Sequence, residues 1–147
     1  MNVERTLDVG VVLDVLVDPV IFDAISEDGM TYEQLKIDVI DNFWLKITED
    51  TNLMGCVQFK PVFNKCWDAH IHILPEFRKR SKEAGALIWK WVEDNLIGLI
   101  YANIPVFCPN VREFLLSFGF EDAGYLKNAW FKNGKQNDMW ILTKESK

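Results

Sequence analysis

Apolar positions recur with two periods along this chain, and the points where the period changes divide it into elements. Val3 to Leu7 reads as a short strand, after which Asp8 can cap a helix carrying Val11, Val12, Val15 and Leu16 on one side. Asp18-Pro19 is a cap followed by proline at the first helical position, which predicts a second short helix through Ile25, closed by Gly29. Thr31 and Gln34 have capping-box spacing for a third helical turn over Tyr32 to Ile37. From Phe43 the period is two. Phe43 to Thr48 alternates, Glu49 to Asn52 turns, and Leu53 to Val62 alternates again. Cys66 to Leu74 then sets Trp67, Ala69, Ile71 and Ile73 against Asp68, His70 and His72. These segments predict three antiparallel strands in a meander.

Pro75 cannot donate to a ladder and ends the third strand. Arg78, Lys79 and Arg80 form a basic turn into a helix with Ser81 as its cap and Glu83 in its first turn. Ala84, Leu87, Ile88, Trp91 and Val92 share one face of that helix. Leu99 to Ile104 is almost continuously apolar between Gly98 and Pro105, the pattern of a strand buried on both faces and parallel to its partner. Strand, helix and strand make a right-handed crossover. Pro109-Asn110 opens a short helix through Val111, Phe114, Leu115 and Phe118, broken at Gly119-Phe120. Tyr125 to Lys132 and Asp138 to Lys144 alternate around Asn133-Gly134, a hairpin whose connection reads as longer than the tightest kind.

Composition narrows the class. The 147 residues are 49% hydrophobic and 13% aromatic, enough for one well-filled core, so residues 1–147 read as one domain. A net charge of -6 argues against a nucleic-acid or anionic-membrane surface; the cations of Arg78 to Lys82 are a local exception. The 3 cysteines, Cys56, Cys66 and Cys108, have no C-x-x-C spacing and suggest buried thiols in a reducing compartment, with no disulfide framework and no metal site. The first residues lack a basic and then apolar leader, and Leu96 to Phe107 falls short of the ~20 apolar residues of a membrane span. A soluble, cytoplasmic protein is expected. A strand that feeds a helix through a basic turn offers backbone N–H groups and positive charge at one point, which suits a pyrophosphate. An ordinary crossover with solvated cations would show the same local pattern.

The element order resembles the GNAT acyltransferase fold, an α/β (α+β) architecture with a mixed central sheet of six to seven strands and helices on both faces. IHILPEFRKR, Ile71 to Arg80, is similar to that family's strand and pyrophosphate loop. NVREFLLSFGFEDAGY, Asn110 to Tyr125, is similar to its fourth helix and the Gly-Phe that follows. The resemblance implies acetyl-CoA lying where the fourth and fifth strands splay. The backbone of His72 to Leu74, with Ile73 and Leu74 as contacts, would hold its pantetheine arm, and its phosphates would meet Arg78, Lys79, Arg80, Ser81 and Lys82, with Gly85 and Asn110 as further contacts. An amine acceptor, small molecule or protein, would approach from the other side and lose its proton to His72, the first choice, or to His70 or Asp68.

Two positions depart from the family pattern. The loop glycines fall on Ser81 and Glu83, or on Glu83 and Gly85 in a longer register, so Glu83 lies close to the phosphates either way. A carboxylate within ~4 Å of one phosphate charge costs on the order of 4 kcal/mol at surface dielectric, so weak cofactor binding is expected. The tyrosine that often protonates the departing thiolate is replaced by Leu115, with Tyr101 and Cys108 elsewhere nearby in sequence. VDPVIFDAISEDG, HIHILPEFR and IPVFCPNVREFLLSFGF resemble GNAT-like proteins of tailed bacteriophages and prophages. That resemblance implies a second role, a non-catalytic head-assembly or virion scaffold that binds phage structural proteins through exposed aromatics such as Trp89, Trp130 and Trp140. A homo-oligomer is compatible with either role.

Overall fold

The computed structural model describes residues 1–146. Its strands are β1 (Asn2–Arg5), β2 (Phe43–Glu49), β3 (Asn52–Phe63), β4 (Cys66–Ile73), β5 (Leu99–Pro105), β6 (Glu121–Lys132) and β7 (Lys135–Glu145). The α-helices are α1 (Val9–Leu16), α2 (Pro19–Ile25), α3 (Ser81–Asn95) and α4 (Pro109–Ser117). All strands join one 7-stranded sheet in the order β1-β2-β3-β4-β5-β7-β6. Every neighbouring pair is antiparallel except β4 and β5.

The expected elements form because their local signals agree with their packing. Asp8 accepts from the Gly10 amide at 2.9 Å to cap α1, and Asp18 accepts from Val20 and Ile21 to cap α2, with Pro19 behind it. Strand alternation then assigns the helices to faces. Trp44 and Cys56 pack with Val12, Val15 and Ile21 of α1 and α2. Their neighbours Leu45, Val57 and Phe59 point the other way, onto Ala84, Ile88 and Val92 of α3. Helices therefore cover both faces.

Several boundaries differ from expectation. α2 ends at Ile25, and Gly29 belongs to a separate turn with φ 84°. The Thr31/Gln34 capping box is present but holds only a 3-10 turn, Tyr32–Gln34. β5 alternates buried and half-buried residues, because its second face is only partly covered. The terminal hairpin is of the tightest kind: Lys132 pairs with Lys135, and Asn133 and Gly134 both have positive φ, the signature of a two-residue turn matched to strand twist. No tryptophan is exposed among the described residues. Trp89 packs edge-on to Phe120 at 5.8 Å with the Lys144 ammonium 3.7 Å over its ring, and Arg112 lies over Trp140. The tryptophans expected at the surface of a scaffold are therefore not exposed; the exposed aromatics among the described residues are Tyr32, Phe63, Phe107, Tyr125 and Phe131.

The β4–β5 junction is pinned at its base by Gly98, at φ 127°, where an added Cβ would lie 2.0 Å from the Lys65 carbonyl oxygen. Gly98→Ala should lower stability by about 3 kcal/mol, read as a fall in the urea midpoint at unchanged slope.

Candidate functional site

β4 and β5 start side by side and then separate. Their parallel ladder pairs Cys66 with Leu99, Trp67 with Ile100 and Asp68 with Tyr101, and goes no further. Beyond it β4 stays with β3 as far as Ile73 opposite Gly55, and β5 stays with β7 as far as Pro105 opposite Met139. Each strand therefore turns one unpaired backbone edge toward a widening gap, and such groups require hydrogen-bond partners from water or a ligand. A cavity of about 200 Å³ fills the gap. Ala24 and Ile25 of α2 line it on one face of the sheet, Ile88 and Trp89 of α3 with Phe114, Leu115 and Phe118 of α4 on the other.

The polar row of β4 faces the α1–α2 side, since His72 pairs in register with Cys56, which packs against those helices. His70 and His72 line the cavity and stack with ring centroids 6.4 Å apart. Asp68 lies behind them, its Oδ2 3.0 Å from His70 Nε2. An ionised carboxylate only accepts, so it fixes the proton on Nε2 and leaves the Nδ1 lone pair free. The other Asp68 oxygen, Oδ1, is buried without a partner among the described residues. His72 differs sharply from a free imidazole. Burial, followed by the nearby His70, pushes its pKa down to about 3, so it is neutral at physiological pH and a weak base.

The basic turn is wound more tightly than an open phosphate loop. Pro75–Arg80 forms 3-10 turns that run directly into α3. Donors expected to face outward are already engaged: the Phe77 N–H with Leu74 O at 2.9 Å, and the Ser81 N–H with Arg78 O. Arg80, not Ser81, occupies the N-cap position, and the Ser81 hydroxyl donates to the Arg78 carbonyl at 2.7 Å. Arg80 is bound by Glu49 and by both carboxylate oxygens of Glu83, which raises its pKa. The Arg78 Nε donates to the Ile73 carbonyl at 3.3 Å. Lys79 and Lys82 are exposed and have no partner among the described residues.

Of the residues singled out from sequence, His70, His72 and Gly85 line the cavity, and Asp68 supports His70. Gly85 sits inside α3 rather than in the loop; an added Cβ there would meet the Phe118 ring at 2.5 Å, so it admits α4 close to α3. Ile73 and Leu74 pack into the two cores, and the Leu74 N–H is taken by Met54 O at 2.9 Å. Arg78, Lys79, Arg80, Ser81 and Lys82 stay outside the cavity, as does the exposed Asn110. Leu115 and Cys108 line it, and burial raises the Cys108 pKa; Tyr101 does not line it. Asn103, which the sequence reading missed, lines the cavity from β5 and is the lone polar side chain between Ala102 and Ile104. A single amide inside an apolar strand was the available signal.

Similar solved structures have the same architecture. The spermidine N-acetyltransferase of Vibrio cholerae in complex with CoA and spermine matches with TM-score 0.81 and 17% identity, over 99% of this chain and 95% of that one. The chain has the GNAT fold. A protein of Streptococcus mutans matches with TM-score 0.73 and 13% identity over 100% of both chains. A dodecameric form of the Vibrio enzyme matches with TM-score 0.64 and 21% identity, over 73% of this chain and 66% of that one. No family model and no curated protein matches the sequence. Among the described residues, no helix of this GNAT fold is long and apolar enough to cross a membrane.

The low pKa of His72 makes stability depend on pH. Between 6.5, the ordinary histidine value, and about 3, the unfolded chain binds a proton that the folded chain refuses. Stability should therefore fall as pH drops through that window, with no contribution above it. Urea unfolding at a series of pH values should show this slope in the native protein and a shallower one in His72→Gln.

Proposed function

We propose that the protein is an N-acetyltransferase that moves an acetyl group from acetyl-CoA to an amine inside the β4–β5 gap. One observation carries this reading: the gap opens to both sheet faces, with the Asp68–His70 pair at its neck. A thioester entering from the α3–α4 side would meet an amine entering from the α2 side. The amine nitrogen attacks the thioester carbonyl, and an N–H on the open edge of a strand stabilises the oxyanion that forms. Collapse breaks the C–S bond and releases the CoA thiolate, while the proton of the attacking nitrogen passes to His70 Nδ1. Asp68 is a positioning residue that sets the His70 tautomer and stabilises the imidazolium. His70 thus takes the role that the sequence assigned first to His72, whose proton affinity is too low for efficient base catalysis.

Cofactor affinity is weak in this reading, because Arg80 is held by two carboxylates and the turn is closed by its own hydrogen bonds. Proton return to the thiolate comes from solvent, since Leu115 has no proton to give and the raised Cys108 thiol is a poor donor. Self-association accompanies the activity, by analogy with the dodecameric neighbour. The closed turn also favours a second reading, a virion-assembly scaffold that has kept the fold and lost the cofactor.

Calorimetry separates the two. Acetyl-CoA should bind with a Kd of roughly 0.1–1 mM, and Glu83→Gln should tighten it by about threefold to tenfold by removing a carboxylate beside the phosphates. The absence of heat at millimolar acetyl-CoA for both proteins would leave only the scaffold. With a competent amine, His70→Gln should reduce CoA release by about a hundredfold, whereas His72→Gln should change it by less than about threefold.

A further inference from the structure

Resting on the transferase reading, we infer that the acceptor is a monoamine carried on an uncharged apolar body, an aryl- or alkylamine, and not a polyamine. The cavity wall decides this. Among the described residues no aspartate, glutamate, lysine or arginine lines it. Its polar side chains are His70, His72, Asn103 and Cys108, and the rest of the wall is apolar. Its volume of about 200 Å³, which the acyl group shares, compares with the roughly 150 Å³ of an engineered apolar cavity that takes up benzene, so the acceptor body is no larger than a single ring or a short alkyl chain.

A polyamine needs a carboxylate for each ammonium beyond the reacting one, since an unpaired buried charge is strongly disfavoured. The acidic side chains on and just after α2 lie outside the cavity, and each holds a contact within the protein. Asp23 pairs with Lys132 at 3.1 Å, Glu27 accepts from the Phe131 N–H at 2.8 Å, and Asp28 accepts from the Gly134 N–H at 2.7 Å. Asp68 is joined to His70 and serves the reacting nitrogen. One amine head therefore has partners, namely His70 backed by Asp68 and the amide of Asn103 on the facing strand. A second has none. Ala24, Ile25 and Pro105 offer the body of the acceptor apolar contact.

The test is calorimetric titration of the whole protein, without cofactor, with phenethylamine and with spermidine, repeated on Ala24→Asp. Ala24 is exposed at the cavity rim, so the substitution should leave the fold intact, which circular dichroism and the melting temperature will verify. Phenethylamine should bind at least about tenfold more tightly than spermidine, and Ala24→Asp should narrow or reverse that ratio by giving a second ammonium its carboxylate. Equal or tighter spermidine binding, no phenethylamine binding at ~10 mM, or a ratio unmoved by Ala24→Asp would each overturn the inference. Acetyl-CoA titrated separately reports on the transferase reading alone. If it fails to bind while the amine preference holds, the activity falls and the pocket assignment stands.

Discussion

Three residue pairs of parallel ladder, ending at Asp68 and Tyr101, are the constraint on which the rest of this molecule depends. Had the ladder continued to Ile73 and Pro105, the sheet would be sealed and no cavity would pass through it. The separation is sustained because each strand keeps an antiparallel partner on its outer side, β3 for β4 and β7 for β5, so opening the gap sacrifices only the inner edges. Those edges are the groups a bound amide chain would satisfy. Strand alternation does the remaining work: it sends Ala69 and Ile71 toward α3 and presents His70 and His72 to the α2 side, giving the two mouths of the gap different chemistry.

The α2 mouth is held in place by a long-range clamp. Lys132, buried at 8% exposure, donates from the tip of the terminal hairpin to the carbonyls of Asp23 and Ser26, and pairs with the Asp23 carboxylate. Asp28 and Glu27 complete the attachment by accepting from hairpin amides. A buried ammonium with three oxygen partners is a demanding arrangement, because removing any one leaves charge without compensation. The helix that carries Ala24 and Ile25 is thus fixed to β6 and β7 rather than left as a hinged flap. The same attachment pairs Asp23 with Lys132 and ties Glu27 and Asp28 to hairpin amides outside the cavity, so holding the wall still and keeping carboxylates off it have one cause.

The sequence made the sheet and most helices legible because local periodicity and capping there agree with tertiary packing: Asp8, Asp18 and the alternation through β2 to β4 all act within a few residues. What stayed hidden depends on distance in sequence or on competing local geometry. The Glu49 that joins Glu83 in binding Arg80 lies 31 residues away. The 3-10 winding of Pro75–Arg80 follows from Pro75 fixing the first turn, with carbonyls at Leu74 and Arg78 within reach of following N–H groups, a choice that composition alone does not reveal. The apolar run Leu99 to Ile104 suggested burial on both faces, since the one amide, Asn103, did not outweigh its apolar neighbours. Hence the histidine row was found, whereas the depressed proton affinity of His72 beside an Asp68-paired His70 was not.

That winding bears on where binding free energy can reside. In an open loop, free N–H groups and glycine contacts would give a pyrophosphate several directed hydrogen bonds at a helix start. Here Phe77 and Ser81 direct their N–H groups inward, Arg80 faces two carboxylates, and the cations without partners, Lys79 and Lys82, sit on flexible exposed stems. Charges of that kind are screened by salt and bring little geometric selectivity. On the transferase reading, affinity for a CoA thioester would have to come from the other end of the molecule, where pantetheine amides would meet unpaired strand edges and an acyl group would meet a wall that includes Ile88, Trp89 and Phe118. A protein built this way would discriminate poorly between intact CoA and a shortened pantetheine thioester, the reverse of what a fully formed phosphate loop would give.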